Sequence, residues 1–228
     1  MTEKGVPMAT EVNASPEAGP SRDVRPVGIQ LGRKPPVVVT LPRRARLRVS
    51  QAMFWRICCE NPELRFERTA RGGLVVMTPA GFRSSNRNLK ISTRLENWAE
   101  ADGTGVASDS SVGYILPDGA TRGPDASWIS QARLSLVPPA ELDRFPHACP
   151  DFVVELRSPS DRLASLRKKM RQYIDQGVQL GWLIDPILGK VEIYRPGREP
   201  EVLDRPASLS GEGVLPGFVL VLRGILGE

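Results

Sequence analysis

The sequence predicts an α/β or α+β domain in which a mixed β-sheet is flanked by helices. A strand–helix–strand succession lies between residues 150 and 186, where two apolar runs of buried-strand length enclose apolar residues spaced three to four apart. Two strands joined through a helix run parallel. Alternating apolar and polar residues at 64–68 and 191–194 indicate further strands without intervening helices. We therefore expect one sheet with both parallel and antiparallel neighbours.

The first half of the predicted domain contains two helices and several short strands. Ser50 is a suitable cap for a helix over 51–60, which Asn61-Pro62 ends. Gly72-Gly73 turns the alternating strand 64–68 into the apolar strand 74–77, which predicts a hairpin. Apolar residues at helical spacing predict a second helix over 86–101, and short strands follow near 105–108, 112–116 and 126–129.

The second half carries the strand–helix–strand unit. Residues 152–156 are apolar enough for a central strand that is buried on both faces. Ser160 or Asp161 is the predicted cap of the following helix, and Gly177 its end. The strand 181–186 and the alternating strand 191–194 complete the predicted sheet.

Length and composition favour one folded domain with a tail. The chain has 228 residues, 40% apolar and 25% charged, which suffices for one well-buried core. Residues 1–44 are predicted to be a flexible, basic, Pro/Gly-rich tail, because low apolar content cannot offset the entropy lost on ordering. Residues 45–228 form the predicted domain. The basic tail is either a solvated leader or a contact to a phosphate backbone.

Several classes of protein are excluded by composition. No apolar run approaches the roughly 18–20 residues of a membrane helix, and the N-terminus lacks the apolar segment of a secretory signal. Three cysteines form no disulfide framework and no CxxC motif, and His147 is the single histidine. We expect a cytoplasmic protein without a membrane partner. Any catalytic metal would have oxygen ligands, which favours Mg²⁺ or Mn²⁺.

Glu155 lies inside the apolar run Phe-Val-Val-Glu-Leu. A carboxylate buried in a central strand costs several kcal/mol unless it is paired or bound to a cation. Asp125 follows a proline at the head of another predicted strand, and its side chain converges with Glu155 if the two strands are neighbours. The pattern therefore predicts either a site for a hard cation or a structural ion pair of Glu155 with Arg157, Arg133 or Arg94.

The predicted helix after this strand carries three cations, Lys168, Lys169 and Arg171. Lys169 and Tyr173 share a face at i,i+4. A lysine beside a metal stabilises charge that develops on phosphorus or orients the attacking water. The alternative is a solvated basic face, and the spacing alone does not choose among the three cations.

Residues 149–186, CPDFVVELRSPSDRLASLRKKMRQYIDQGVQLGWLIDP, resemble the Uma2-like family of proposed restriction endonucleases, which is similar to the PD-(D/E)XK nuclease superfamily. The segment contains in order PD, an apolar strand with a glutamate, SPSD, a helix with Lys and Tyr, and WLIDP. Weaker matches in the same order lie at 65–67 with 73–79, at 122–127 and at 215–218. The resemblance covers about 45–225.

The resemblance implies a restriction-endonuclease-like core and specific roles. Asp125 and Glu155 would hold Mg²⁺ or Mn²⁺, with the Leu156 carbonyl as a third ligand. Glu67 matches the additional acidic position, which binds the metal or its water. The third residue of the D/E-X-K triplet is Arg157, which stays protonated and is a poor base. The resemblance places the missing lysine on the following helix, at Lys169.

The implied activity is metal-dependent hydrolysis of phosphodiester bonds in DNA, and a homodimer suits the cutting of two strands. A different class of function is also open. A nuclease scaffold without activity is a nucleic-acid-binding or interaction module, because a fold does not guarantee activity. Retention of both acids and Lys169 favours the enzyme. The neutral balance of 22 basic against 22 acidic residues outside residues 1–48 argues mildly against tight binding of DNA by the domain alone.

Overall fold

A computed structural model describes residues 26–29, 37–40, 47–77 and 79–226. The chain divides into two units, Met1–Ala45 and Arg46–Glu228. In the first unit, β1 (Pro26–Ile29) and β2 (Val37–Thr40) form an antiparallel pair that the sequence analysis does not predict. The rest of the predicted tail lies outside the described residues, so its flexibility stays a prediction.

The second unit begins with the predicted helix and hairpin. Ser50 caps the first helix by accepting a hydrogen bond from the N–H of Met53. The second helix begins at Phe82, earlier than predicted, because its polar first turn carries no apolar periodicity. The elements in this part are α1 (Gln51–Glu60), β3 (Arg65–Arg68), β4 (Leu74–Met77), α2 (Phe82–Asp102) and β5 (Gly105–Asp109).

Short elements lead from β5 into the central sheet. The predicted strand near 112–116 is reduced to two residues, and two single-turn helices were not predicted. These elements are β6 (Tyr114–Ile115), β7 (Thr121–Arg122), β8 (Ala126–Ser130), α3 (Gln131–Leu134) and α4 (Pro139–Leu142).

The strand–helix–strand unit is confirmed. It comprises β9 (Phe152–Leu156), α5 (Leu163–Asp175) and β10 (Leu180–Asp185), and β9 and β10 are parallel. The predicted cap of α5 is wrong: Arg162 occupies the N-cap position. The Asp161 carboxylate instead accepts hydrogen bonds from the N–H and hydroxyl of Ser158, so this segment closes its own turn before the helix begins.

The remaining strands complete three sheets in this unit. They are β11 (Lys190–Tyr194), β12 (Glu201–Asp204), β13 (Ser208–Ser210) and β14 (Val219–Val221). The main sheet has the order β12-β11-β10-β9-β8-β5, in which only β9 and β10 are parallel. A four-stranded antiparallel sheet has the order β4-β3-β7-β6, and β13 pairs with β14. The predicted mixed sheet flanked by helices is therefore confirmed.

Two apolar clusters cover the two faces of the main sheet. On one face Ile91, Leu95 and Ala99 of α2 pack with the sheet and the C-terminal segment. On the other face Met170 and Tyr173 of α5 pack against β9 and β10. The candidate site lies on the α5 face, at the edge where β9 and β10 end. None of the helices in the described ranges is long and apolar enough to cross a bilayer.

Candidate functional site

Asp125 and Glu155 lie at the same edge of the main sheet, as predicted for neighbouring strands. Asp125 directly precedes β8, and its N–H donates to the carbonyl of Val154 in β9. The N–H of Leu156 donates in turn to the Asp125 carboxylate at 2.8 Å. These two hydrogen bonds fix Asp125 beside the last residues of β9.

Lys169 lies at the centre of the site. Its Nζ is 2.7 Å from Oε1 of Glu155 and 2.7 Å from Oε1 of Glu67. It also donates to the carbonyl of Gly123 at 3.1 Å. Of the three candidate cations on α5, Lys169 is the one that points into the site, whereas Lys168 and Arg171 are exposed.

Glu67 reaches this cluster from β3, a strand of the four-stranded sheet. Its Oε2 accepts from Arg122 at 2.8 Å, and its Oε1 accepts from the N–H of Gly123. Both oxygens are therefore engaged by the protein. Gln172 holds Arg122 from the other side by accepting from two of its guanidinium nitrogens. Glu67 is thus fixed as a partner of Lys169.

Helix α5 delivers Lys169 and Tyr173 on one face, in agreement with their i,i+4 spacing. The Tyr173 hydroxyl donates to Oε1 of Glu155 at 3.2 Å. The side chains of Met170 and Tyr173 are fully buried, and a Cβ on Gly181 would lie 2.6 Å from Cε of Met170. The absence of a side chain at Gly181 lets α5 approach the sheet closely enough for this contact.

The environment of the site shifts the pKa values of its acidic groups in different directions. Burial raises the pKa of Glu155 to about 8; Lys169 opposes this rise, and the charges of Asp125 and Glu67 add to it. Burial also raises the pKa of Asp125. Burial acts in the same direction on Glu67, but Lys169 and Arg122 outweigh it and hold the pKa of Glu67 below its usual value. Glu67 is therefore ionised at neutral pH, and Glu155 titrates there.

Lys169 stays an ammonium group. Burial acts to lower the pKa of Lys169, but the carboxylates of Glu155 and Glu67 outweigh it and raise the pKa above its usual value. An ammonium that is held in this way is a donor and a positive charge and is not a base. The chemistry that it offers is stabilisation of negative charge.

The arginines considered as structural partners of Glu155 bind elsewhere. Arg157 pairs with Asp185 at the end of β10, at 2.7 Å. Arg133 pairs with Asp151 at 2.9 Å, and Arg94 donates to the carbonyl of Val221. The ion pair that Glu155 makes is with Lys169. Arg157 is thus held by Asp185 rather than by either of the site's glutamates.

The oxygen atoms at this edge are suitable ligands for a hard cation that keeps several of its water molecules. No cluster of three or more His, Cys, Asp or Glu side chains arranged for a metal ion occurs in the described part of the chain. Two carboxylates with one backbone carbonyl are nevertheless the kind of partial oxygen ligand set with which proteins bind Mg²⁺. Asp125 and Glu155 lie at this edge beside Leu156, whose N–H contacts the Asp125 carboxylate, so the oxygen chemistry of these residues fits such an ion.

Arg122 and Gly123 belong to the cluster, although no role was predicted for either of them from the sequence. Both lie in the Arg-Gly-Pro-Asp segment that ends in Asp125. The feature of the sequence that could have identified Arg122 is its position three residues before Asp125, a candidate metal ligand. Its partners Glu67 and Gln172 come from distant segments, which no local pattern identifies.

The mixed sheet, its flanking helices and the carboxylate–lysine cluster at one sheet edge define a restriction-endonuclease-like α/β domain. Residues 52–223 match the sequence profile of the Uma2 family, described as "Putative restriction endonuclease". The chain therefore belongs to the Uma2 family, and the resemblance found in residues 149–186 is confirmed.

The fold is shared with a solved structure. It is described as "a putative nuclease belonging to DUF820" from Anabaena variabilis, and superposes with a TM-score of 0.61 at 21% identity, covering 72% of this chain and 90% of that chain. At this identity the likeness establishes the architecture alone. A comparison with curated proteins gives no sequence match.

Proposed function

We propose that this protein is a Mg²⁺- or Mn²⁺-dependent endonuclease that hydrolyses phosphodiester bonds of DNA. The observation that carries the proposal is the Lys169 ammonium, 2.7 Å from both Glu155 and Glu67, at the sheet edge that also carries Asp125. Membership of the Uma2 family supports hydrolysis of nucleic acid as the reaction class. Buried acids around a buried cation also match the charge pattern of phosphoryl chemistry.

Asp125 and Glu155 would hold the metal, together with the carbonyl of Leu156. When bound, the ion supplies charge neutralisation at the phosphate and a lowered pKa for water. The N–H of Leu156 orients the Asp125 carboxylate at 2.8 Å, and the Tyr173 hydroxyl orients that of Glu155 at 3.2 Å. These hydrogen bonds place the two carboxylates before any ligand arrives.

Lys169 would stabilise the negative charge that grows on the scissile phosphate. Its ammonium has three protons, and its partners hold it at the site rather than in solvent. Glu67 acts as a positioning residue, since both of its oxygens are taken by Lys169, Arg122 and Gly123. We expected Glu67 to bind the metal or its water, and these contacts favour the positioning role instead.

The test is cleavage of supercoiled plasmid and of single-stranded DNA with Mg²⁺, with Mn²⁺ and with EDTA. Asp125→Asn, Glu155→Gln and Lys169→Met are compared with the wild type. We expect metal-dependent nicking that falls by at least a hundredfold in each variant, which is within the range for loss of one electrostatic group. Linear product formed in a single encounter would support a homodimer.

Glu192→Gln is the matched control for Glu155→Gln. Glu192 is also a buried strand glutamate that a cation of α5, Arg167, and a tyrosine hydroxyl, Tyr194, contact. Lys168→Met is the control for Lys169→Met, because Lys168 is exposed. Both controls should cleave like the wild type. DNA binding by the wild type without cleavage under any metal condition would overturn the proposal in favour of a nuclease-fold binding module.

A further inference from the structure

The charges of helix α2 are segregated along its length. Residues 82–95 contain four Lys or Arg and no Asp or Glu, whereas residues 96–102 contain three Asp or Glu and no Lys or Arg. A helix is stabilised by acids near its N-terminus and by bases near its C-terminus. Both ends of α2 have the opposite charge: no acid lies in the first turn and no base in the last. The distribution therefore works against the stability of the helix itself.

The four cations form one stripe. Arg83, Arg87, Lys90 and Arg94 stand at i, i+4, i+7 and i+11, which places them on one face of the helix. Lys90 donates to the carbonyl of Gly224, and Arg94 donates to the carbonyl of Val221. These contacts direct the stripe toward the C-terminal segment. Arg83 and Arg87 continue it toward the N-terminus of the helix.

The topology brings the N-terminal end of α2 to the sheet edge that carries the candidate site, on the face opposite α5. Helix α2 is followed by Gly103 and Thr104 and then by β5, on which it packs, so its N-terminus points to the sheet edge where β5 ends. Asp109 at that end pairs with Ala126, the residue after Asp125. A helix of 21 residues is about 31 Å long, and the five residues of β5 span about 17 Å. The first turns of α2 thus extend past the edge that carries Asp125 and Glu155.

More positive charge lies along the same edge. Arg205 and Arg223 line a cavity of about 550 Å³ together with the turn 186–189, which follows the end of β10. Arg223 is exposed, and its carbonyl accepts from Arg94 of the stripe. The stripe on α2 and these two arginines therefore add positive charge beside the sheet edge, although the charges of residues 49–228 balance.

We propose that Arg83 and Arg87 on the overhanging turns of α2 bind the phosphate backbone of duplex DNA beside the cleavage site. The partner is a polyanion, because Arg83 in the first turn opposes the dipole of its helix and, with Arg87 one turn on, presents two cations at phosphate-binding spacing. Lys90 and Arg94, in contrast, already donate to carbonyls of the C-terminal segment. The inference rests on the proposed nuclease function for the choice of DNA. Cations that contact phosphates position the duplex and carry no sequence information.

The test measures binding and stability of the full chain in EDTA, where no cleavage interferes. A labelled DNA duplex is titrated across a series of KCl concentrations with the wild type, Arg83→Gln, Arg87→Gln and the double variant. The double variant should bind roughly tenfold more weakly, and the slope of log affinity against log salt should fall by about 0.9 for each lost contact. Arg198→Gln is the matched control, since Arg198 is exposed at the turn after β11, at the opposite edge of the sheet.

A charge reversal separates a binding role from a structural one. Arg83→Glu should weaken DNA binding and at the same time raise Tm, because an acid suits this end of the helix. Arg198→Glu should do neither. Unchanged affinity and salt slope in the double variant would overturn the inference, as would a fall in Tm that accompanies the loss of binding, or binding by the wild type confined to RNA.

The two proposals fail in different ways. If the wild type cleaves DNA and the double variant binds and cleaves equally well, the binding role of α2 is wrong and the nuclease stands. If the wild type binds DNA through Arg83 and Arg87 and never cleaves it, the binding role is supported and the nuclease is wrong.

Discussion

The Nζ of Lys169 lies 2.7 Å from Oε1 of Glu67, although the two residues belong to different layers of the domain. Lys169 stands on the helix that covers the main sheet, and Glu67 on a strand of the four-stranded sheet. Because Lys169 also contacts Glu155, one ammonium joins both sheets. The site is therefore also a tertiary contact, and its residues contribute to stability as well as to the proposed activity.

Lys169→Met should lower the free energy of unfolding by about 3 kcal/mol, because removal of one partner from a buried ion pair leaves the other charge uncompensated. Glu155→Gln should cost less in this variant than in the wild type, because the contact that Glu155 makes with Lys169 is already absent. Urea unfolding of both variants measures the effect. Lys168→Met should stay close to the wild type. Strict additivity of the two substitutions would contradict the coupling.

The stability of the metal-free protein should fall as pH rises from about 4.5 to about 8. The pKa of Glu155 is raised from its usual value of 4.5 to about 8 in the fold. In this interval the folded state binds a proton that the unfolded state has released, so folding is favoured at the low end and loses this contribution as pH passes 8. Denaturant unfolding in EDTA at a series of pH values measures the slope. Glu155→Gln should flatten it, and an unchanged slope would assign the effect to another group.

Arg157→Gln should reduce stability without abolishing cleavage. Arg157 pairs with Asp185, whose other oxygen accepts from the N–H groups of Ile187 and Leu188. Loss of the guanidinium leaves Asp185 buried without its counter-charge, at a cost of about 3 kcal/mol. The measurements are urea unfolding and the cleavage rate per folded molecule. A rate that falls as far as in Lys169→Met would instead place Arg157 in the catalytic lysine role.

Gly105→Ala should destabilise the packing of α2 on the sheet. A Cβ at this position would lie 2.4 Å from the carbonyl oxygen of Ile129 and 2.5 Å from the ring of Trp128. Neither the strand backbone nor the buried indole can move away cheaply, so we expect a loss of about 1–3 kcal/mol. Thermal unfolding compares it with Gly213→Ala, whose added Cβ meets open space. Equal Tm values for the two variants would contradict this packing.

The sequence predicts those parts of the fold whose pattern is local. The run Phe152–Leu156 is apolar on both faces, and the apolar stripe of α5 is regular, so both elements were predicted within a few residues. The N-cap of α5 was predicted wrongly, because Ser158 and Asp161 hydrogen bond to each other and their turn ends before the helix begins. The strands β12 to β14 were missed, since each is short and has at most one buried residue.

For the candidate site, too, local features could be predicted from the sequence, whereas contacts between distant segments could not. Asp125 and Glu155 were predicted to lie close together if their strands are neighbours. Asp125 stands at the start of one predicted strand, and Glu155 is an acid inside an otherwise apolar strand. The engagement of both Glu67 oxygens depends on Arg122 and Gly123, which reach Glu67 only through the pairing of β3 with β7. Pairing between short strands leaves no periodic signal, so the contacts of Glu67 could be found only from the structure.

The ammonium of Lys169 gives the acidic cluster a built-in counter-ion. Many small metal-binding domains stay unfolded until their ion binds. Here Lys169 pairs with both Glu67 and Glu155, so in the proposed enzyme folding would not depend on metal loading. Under the proposed function, the domain would fold and be stored without an ion, and a change in ion supply would switch cleavage on or off without unfolding it.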